Sequence, residues 1–325
     1  MFATLASTAR FVPEHEVTND ALRARFGAEV IDKLEGATSI RTRFYAPEAW
    51  AASDVALPAA KQALARAGIG PKDVDLLIVG TDTPDYMTPS TAVVLQHKLG
   101  AVNAGVFDVG CACASMPTAL AVAAGMMATQ PWIRHALVTG VYVMHKLAAP
   151  DDHNLFFYGD GSSAIVLRAG DRPGFISSAL IADGSYAQRW GIYAGGSAEP
   201  ATVEAVKAGR TNVRLIDAYP ASVNEEGWKL LVRQLAERGG FRIADIGLAI
   251  FTQVRARTID KVMAALELPA ERTHKVMEKW GYTGSACVGL ALDDALEQKK
   301  AKAGDLLVLV GSGVGYHQAA VAFRL

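Results

Sequence analysis

The sequence predicts an α/β protein built from two halves of one topology. Strand-like apolar runs alternate with helical patterns, the arrangement of sheets covered by helices. The chain also repeats itself. "IGPKDVDLLIVGT" (69–81) parallels "FRIADIGLAIFTQ" (241–253), and "GCACASMPTALAVAAGMM" followed by "IRHALVTGV" parallels "GYTGSACVGLALDDALEQ" followed by "GDLLVLVGSG". This spacing is far longer than a solenoid period, so it marks a duplicated half rather than an array. The halves are set at 1–170 and 171–325, which places Cys113 near the centre of pseudo-symmetry.

The elements follow in order. "VDLLIVGT" reads as a strand, "STAVVLQHKLG" as a helix, "AGVFDVG" as a strand and "HALVTGVYV" as another. Between the last two lies "ASMPTALAVAAGMMATQ", which has no charged residue on any face. A helix apolar all round belongs inside a protein. Pro117 falls in or next to its first turn, where a missing N–H costs little.

The totals exclude several classes. A chain of 325 residues exceeds one ordinary core and suits two fused ones. With 32 basic and 33 acidic residues the net charge is −1. No basic surface for nucleic acid and no charged tail is indicated. The first residues, "MFATLASTARF", do not read as a secretory signal. No stretch is read as the roughly 18 uncharged apolar residues of a membrane span. Three cysteines lack metal or disulfide spacing, so neither a metal site nor a disulfide scaffold is predicted and a reducing cytoplasm is the expected compartment.

The chemistry points to "FDVGCACASMPTAL" (107–120). Cys113 sits where a strand hands over to a helix. Free N–H groups and the positive end of the helix dipole there favour a thiolate and can hold an oxyanion. Cys111 lies on the strand side without that help. The local sequence leaves open whether Cys113 is reactive or a small buried hydrophobe. Asp82 and Asp85, in "TDTPDY", are read as capping or turn residues.

"FDVGCACASMPTAL" resembles the nucleophile segment of β-ketoacyl-acyl-carrier-protein synthase III, of the thiolase superfamily. "TDTPDYMTPSTAVVLQHKLGA", "FYGDGSSAIVLRAG" and the C-terminal "DDALEQKKAKAGDLLVLVGSGVGYHQAAVAFRL" extend the likeness over nearly the whole chain. The resemblance implies a five-layered αβαβα thiolase-like sandwich, a homodimer, and Cys113 as nucleophile. It also implies that the loop "GSGVG" (311–315) completes an oxyanion hole, with the backbone N–H groups of Cys113 and Val314 as donors. Substrates would be acyl-CoA or acyl-carrier-protein thioesters, with no further cofactor.

Two catalytic positions depart from the family. Its "H-Q-A-N" segment is matched by "FTQVRART", with Thr252 in place of the His and Arg255 in place of the Asn. Its "G-N-T-S" is matched by "WGYTGS", with Tyr282 in place of the Asn. The family's His and Asn hydrogen-bond a malonyl thioester carbonyl and promote decarboxylation. A phenol titrates near 10, so Tyr282 is a poor base at neutral pH. Losing one positioned acid–base or oxyanion donor typically costs roughly 10²–10⁴ in rate. His317, directly after the glycine loop, is the histidine best placed in sequence to substitute.

The substrate side departs too. In "KLEGATSIR", Lys33 and Ala37 replace the family's coenzyme A-binding Trp and Arg, while Arg41 is kept. The adenine-clamping Arg falls at about His153. Arg257 matches a residue that faces the carrier protein. Thr88, in the segment that shapes the partner's acyl pocket, is small and polar and implies a larger or more polar acyl group.

The expected function is therefore acyl transfer through an acyl-Cys113 intermediate, in fatty-acid-like or secondary-metabolite biosynthesis, without decarboxylative condensation. The alternatives are a catalytically silent subunit of a hetero-oligomeric condensing enzyme, and condensation at an atypical site.

Overall fold

The chain lays down two sheets in the same strand order. In the computed structural model, which describes residues 2–220 and 222–325, the first stretch supplies β1 (Phe2–Phe11), β2 (His15–Thr18), α1 (Asn19–Phe26), α2 (Ala28–Thr38), β3 (Thr42–Tyr45), α3 (Ala52–Ala67), β4 (Leu76–Gly80), α4 (Thr91–Leu99), β5 (Gly105–Val109), α5 (Ser115–Thr129), β6 (His135–Tyr142) and β7 (Gly161–Gly170). The rest supplies β8 (Phe175–Ala182), β9 (Trp190–Gly191), α6 (Val203–Lys207), β10 (Arg214–Leu215), α7 (Ser222–Gly239), β11 (Ile246–Phe251), α8 (Ala256–Ala265), α9 (Met277–Trp280), α10 (Cys287–Glu297), β12 (Leu306–Gly313) and β13 (His317–Arg324).

The first sheet runs β1-β7-β6-β4-β5 and the second β8-β13-β12-β11. In the first, β4 is parallel to β5 and β6, and β7 is antiparallel to β6 and β1. In the second, β11 is parallel to β12, and β13 is antiparallel to β12 and β8. Strand for strand the two match. The counterpart of β5 is a single parallel bridge between Ala249 and Thr273. Every residue of β4 and of β12 is buried. Strands covered on both faces carry such unbroken apolar runs.

Helices α5 and α10 lie between the sheets. Helix α5 packs on β4 and β6 of one and on β12 and β13 of the other, while α10 packs on β1 and β7 and on β11 and β12. Helices α3 and α4 cover the outside of the first sheet, and α7, with α8 against it, the outside of the second. The result is five layers, αβαβα. Each central helix is preceded by a 3₁₀ turn, Ala112–Ala114 and Gly284–Ala286, so the predicted repeat extends to the turns.

One expectation needs correcting. Ala112–Thr129 is 18 residues long with a mean hydropathy of 1.4, enough by length and composition to cross a membrane. It is 67% buried, wedged between the two sheets, and so behaves as a core helix. Its apolar character comes from being covered on all sides by protein.

A charged network ties β1 and α3 to the central helix α10. Asp293 of α10 is 1% exposed; its carboxylate accepts from Thr8 Oγ1 at 2.6 Å, Arg10 at 2.5 Å and Arg66 at 2.8 Å. Removing one partner from a buried charge cluster strands the others. Asp293→Ala is therefore predicted to lower folding stability by about 3–5 kcal/mol, read as a fall in the denaturation midpoint in urea.

Candidate active site

Strand β5 ends at Val109, and the chain then turns sharply into α5. Ala112 takes a left-handed φ of 46° within this turn. Ser115 Oγ donates to the Ala112 carbonyl at 2.6 Å and accepts from the Cys111 amide at 3.0 Å, which locks the turn. Cys113 is thereby held just before the amino end of α5, 4% exposed, with its own amide within reach of its sulfur.

Strand β12 passes this turn at backbone contact. A Cβ on Gly313 would lie 2.2 Å from the Cys111 carbonyl oxygen and 3.0 Å from the Cys113 amide. A Cβ on Gly311 would lie 2.9 Å from the Cys113 carbonyl oxygen. No other residue allows this approach, and it brings the following Val314 to the cavity beside Cys113.

The cavity holds about 370 Å³. Cys113, Thr252, Tyr282 and Val314 all line it, as does Arg255. Much of the remaining wall is aromatic, including Tyr142, Tyr158, Trp190, Tyr219 and Tyr316. Thr252 Oγ1 accepts from the Ser312 amide at 2.8 Å, leaving its own proton for the cavity. The Tyr282 amide donates to Phe157 O at 2.8 Å and its carbonyl accepts from the Gly159 amide at 3.0 Å, so its backbone is fixed on both sides.

The thiol is in a dry and unfavourable place for charge. Burial pushes the Cys113 thiol well above its usual range, and the negative charge of Asp82 pushes it further. The Tyr282 hydroxyl, donating to the sulfur, works against both. Burial also raises the Tyr282 phenol well above 10, so it remains a donor and not a base. The helix end alone does not make a thiolate here.

Four other predicted residues are not brought to the cavity. Thr88, Arg41, His153 and Arg257 are exposed and none lines it. His317 does not line it either. It opens β13 opposite Gly313 and Ala182. Successive side chains of a strand point to opposite faces. Gln318 takes the face toward α7, donating to Val223 O at 3.3 Å and to Ser312 Oγ at 3.2 Å. The half-buried His317 takes the other, where a Cβ on Gly315 would meet its Nε2 at 2.9 Å.

Asp85 is a cap as expected, accepting from the Ser53 amide at 2.8 Å ahead of most of α3. Asp82 is not. It lines the cavity with Cys113, and its Oδ1 accepts from Ser285 Oγ at 2.7 Å. The same hydroxyl lies 3.0 Å from the Ala112 carbonyl, next to Cys113. Burial raises the Asp82 carboxyl to about 6. A lone Asp in a Thr- and Pro-rich turn gives no sequence signal of this; the pairing with Ser285, 203 residues away, does.

The family models for 3-oxoacyl-acyl-carrier-protein synthase III match residues 107–184, and those for its C-terminal part match residues 236–325. A β-ketoacyl-acyl-carrier-protein synthase III of Bordetella petrii is 31% identical over 100% of this chain and 98% of the relative. The chain belongs to the β-ketoacyl-acyl-carrier-protein synthase III family. Among solved structures, the 3-oxoacyl-acyl-carrier-protein synthase III of Pseudomonas aeruginosa superposes with a TM-score of 0.89 at 28% identity, covering 100% of this chain and 98% of that one. The synthase III of Thermus thermophilus gives 0.89 at 26% identity, covering 99% of both. A priming β-ketosynthase of a polyketide pathway gives 0.88 at 27%, covering 100% and 96%. The thiolase-type fold and membership of a condensing and acyl-transferring synthase III family are thus established for this chain. At the two positions singled out in the sequence its cavity presents hydroxyls, Thr252 and Tyr282, and no histidine is among its described lining residues.

Because Tyr282 lowers the Cys113 pKa, its removal has a definite sign. Tyr282→Phe is predicted to raise the pH midpoint of Cys113 alkylation by iodoacetamide, followed by intact-protein mass spectrometry, while the fold is retained.

Proposed function

We propose that the protein is a cysteine-dependent acyltransferase. Cys113 takes an acyl group from a CoA or carrier-protein thioester and passes it to a hydroxyl or amine acceptor, without decarboxylative condensation. The observation that carries this reading is the pair Thr252 and Tyr282 on the cavity wall around Cys113. Neither can become an imidazolium, and Tyr282 is held protonated by burial. A malonyl thioester carbonyl there meets two hydroxyls and no imidazole, where the family implies a His and an Asn.

What acyl transfer requires is retained. The buried sulfur borders the cavity, and the close pass of β12 supports Val314 as a second backbone donor beside Cys113 for a tetrahedral oxyanion. The aromatic walls suit an acceptor or acyl chain with an apolar body. Tyr86 and Met87, 58% and 76% exposed beside Thr88, support a second copy of the chain seated at that segment.

Incubation of the protein with a panel of acyl-CoA thioesters, read by intact mass, tests the reading. A mass gain lost in Cys113→Ala is the expected result. No gain with any donor indicates the silent-subunit alternative. Release of carbon dioxide from malonyl-CoA overturns the absence of condensation. Thr252→His combined with Tyr282→Asn is predicted to raise that release by at least about 10²-fold.

A further inference from the structure

We propose that Asp82 is the general base of this site, taking the proton of the attacking nucleophile and returning it to the leaving group. The inference rests on the acyl-Cys113 reading above. Three observations on geometry lead to it. Asp82 and Cys113 line the same cavity. One carboxylate oxygen of Asp82 is fixed by Ser285 Oγ, and that hydroxyl also contacts the carbonyl of Ala112, the residue before the nucleophile. The other oxygen, Oδ2, has no side-chain partner among the described residues, though the Asp82 amide lies within reach of the carboxylate, and Asp82 is only partly buried where it lines the cavity.

The surroundings leave no competing base. The titratable groups that face Asp82 electrostatically are Cys113, Tyr142, Tyr158 and Cys287, with Ser285 as its bonded partner. The thiols and phenols are all raised by burial, so each is a proton donor at neutral pH. Arg255 is the single basic side chain lining the cavity among the described residues. Asp82, raised to about 6, is ionised at neutral pH yet has a far higher proton affinity than a solvated carboxylate. A general base works best with a pKa near the working pH.

The steps balance. In acylation the Cys113 proton passes to Asp82 as the sulfur bonds to the donor carbonyl. The carbon–sulfur bond to the donor then breaks, and the departing thiolate takes the proton. In transfer the acceptor O–H or N–H proton passes to Asp82 as the acceptor bonds to the acyl carbon. The Cys113 carbon–sulfur bond breaks, and its thiolate recovers the proton. Asp82 ends each half unchanged, and no oxidant, metal or further reactant is consumed.

The test uses the full chain and does not require the natural acceptor. Acetyl-CoA, octanoyl-CoA and benzoyl-CoA are each incubated with isotopically labelled free CoA, and label entering the thioester is followed across pH. In the wild type the rate rises with pH through about 6, as Asp82 loses its proton. Asp82→Asn keeps the acceptor oxygen for Ser285 but cannot take a proton. It is expected to slow exchange by roughly 10²–10⁴-fold and to abolish that rise. Ser285→Ala removes a hydrogen bond that lowers the Asp82 pKa, so the rise moves to higher pH. Asp82→Asn that exchanges within a few-fold of wild type, with the rise intact, overturns the role of Asp82 and leaves acyl-Cys113 standing. Absence of wild-type exchange with all three thioesters, together with no acyl mass gain on wild-type Cys113, overturns the acyltransferase reading itself, and this proposal with it.

Discussion

Backbone-to-backbone contact between β12 and the Cys111–Ala114 turn is the constraint around which the site is arranged. Gly311 and Gly313 let one half of the molecule touch the Cys111–Ala114 turn of the other with no side chain of their own between them. The two central helices can then start side by side, each from a 3₁₀ turn. Thr252 is fixed by the amide of Ser312, which lies between those glycines. Cys113 at one helix start and Cys287 at the other are close enough for each ionisation to be felt by its neighbours. A side chain on β12 here would separate the halves and remove the wall that faces the sulfur.

Electrostatically, the price of this close packing is a reluctant thiol. A partly solvated cysteine at a helix start is commonly activated by the dipole. Here burial and the charge of Asp82 outweigh that help, and the donation from Tyr282 only partly offsets them. Such a sulfur is not a standing nucleophile.

Much of the fold was legible in the sequence because duplication writes the same pattern twice. The paired segments 69–81 and 241–253 both became a 3₁₀ turn followed by a parallel strand, β4 and β11. The charge-free helix was placed inside correctly, although its length and apolarity also meet a membrane criterion that only its burial between sheets overrides. Cys113, Thr252, Tyr282 and Val314 converge on one cavity as their motifs suggested. His317 did not, because nearness in sequence to a glycine loop says nothing about which face of β13 the ring takes. Asp82 was passed over for the opposite reason. Its meaning depends on Ser285, which the fold supplies from far along the chain.

The hydrogen bond from Ser285 to Asp82 spans the seam between the two halves. One contributes the acid and the other the hydroxyl that tunes it. Proton affinity at the site is therefore a gauge of docking. Any loosening of the seam, by a partner protein, a bulky acyl chain or a distant substitution, would be registered as a change in the acidity of a single carboxyl group. In this duplicated fold, the docking of the halves and the acidity of Asp82 are then coupled.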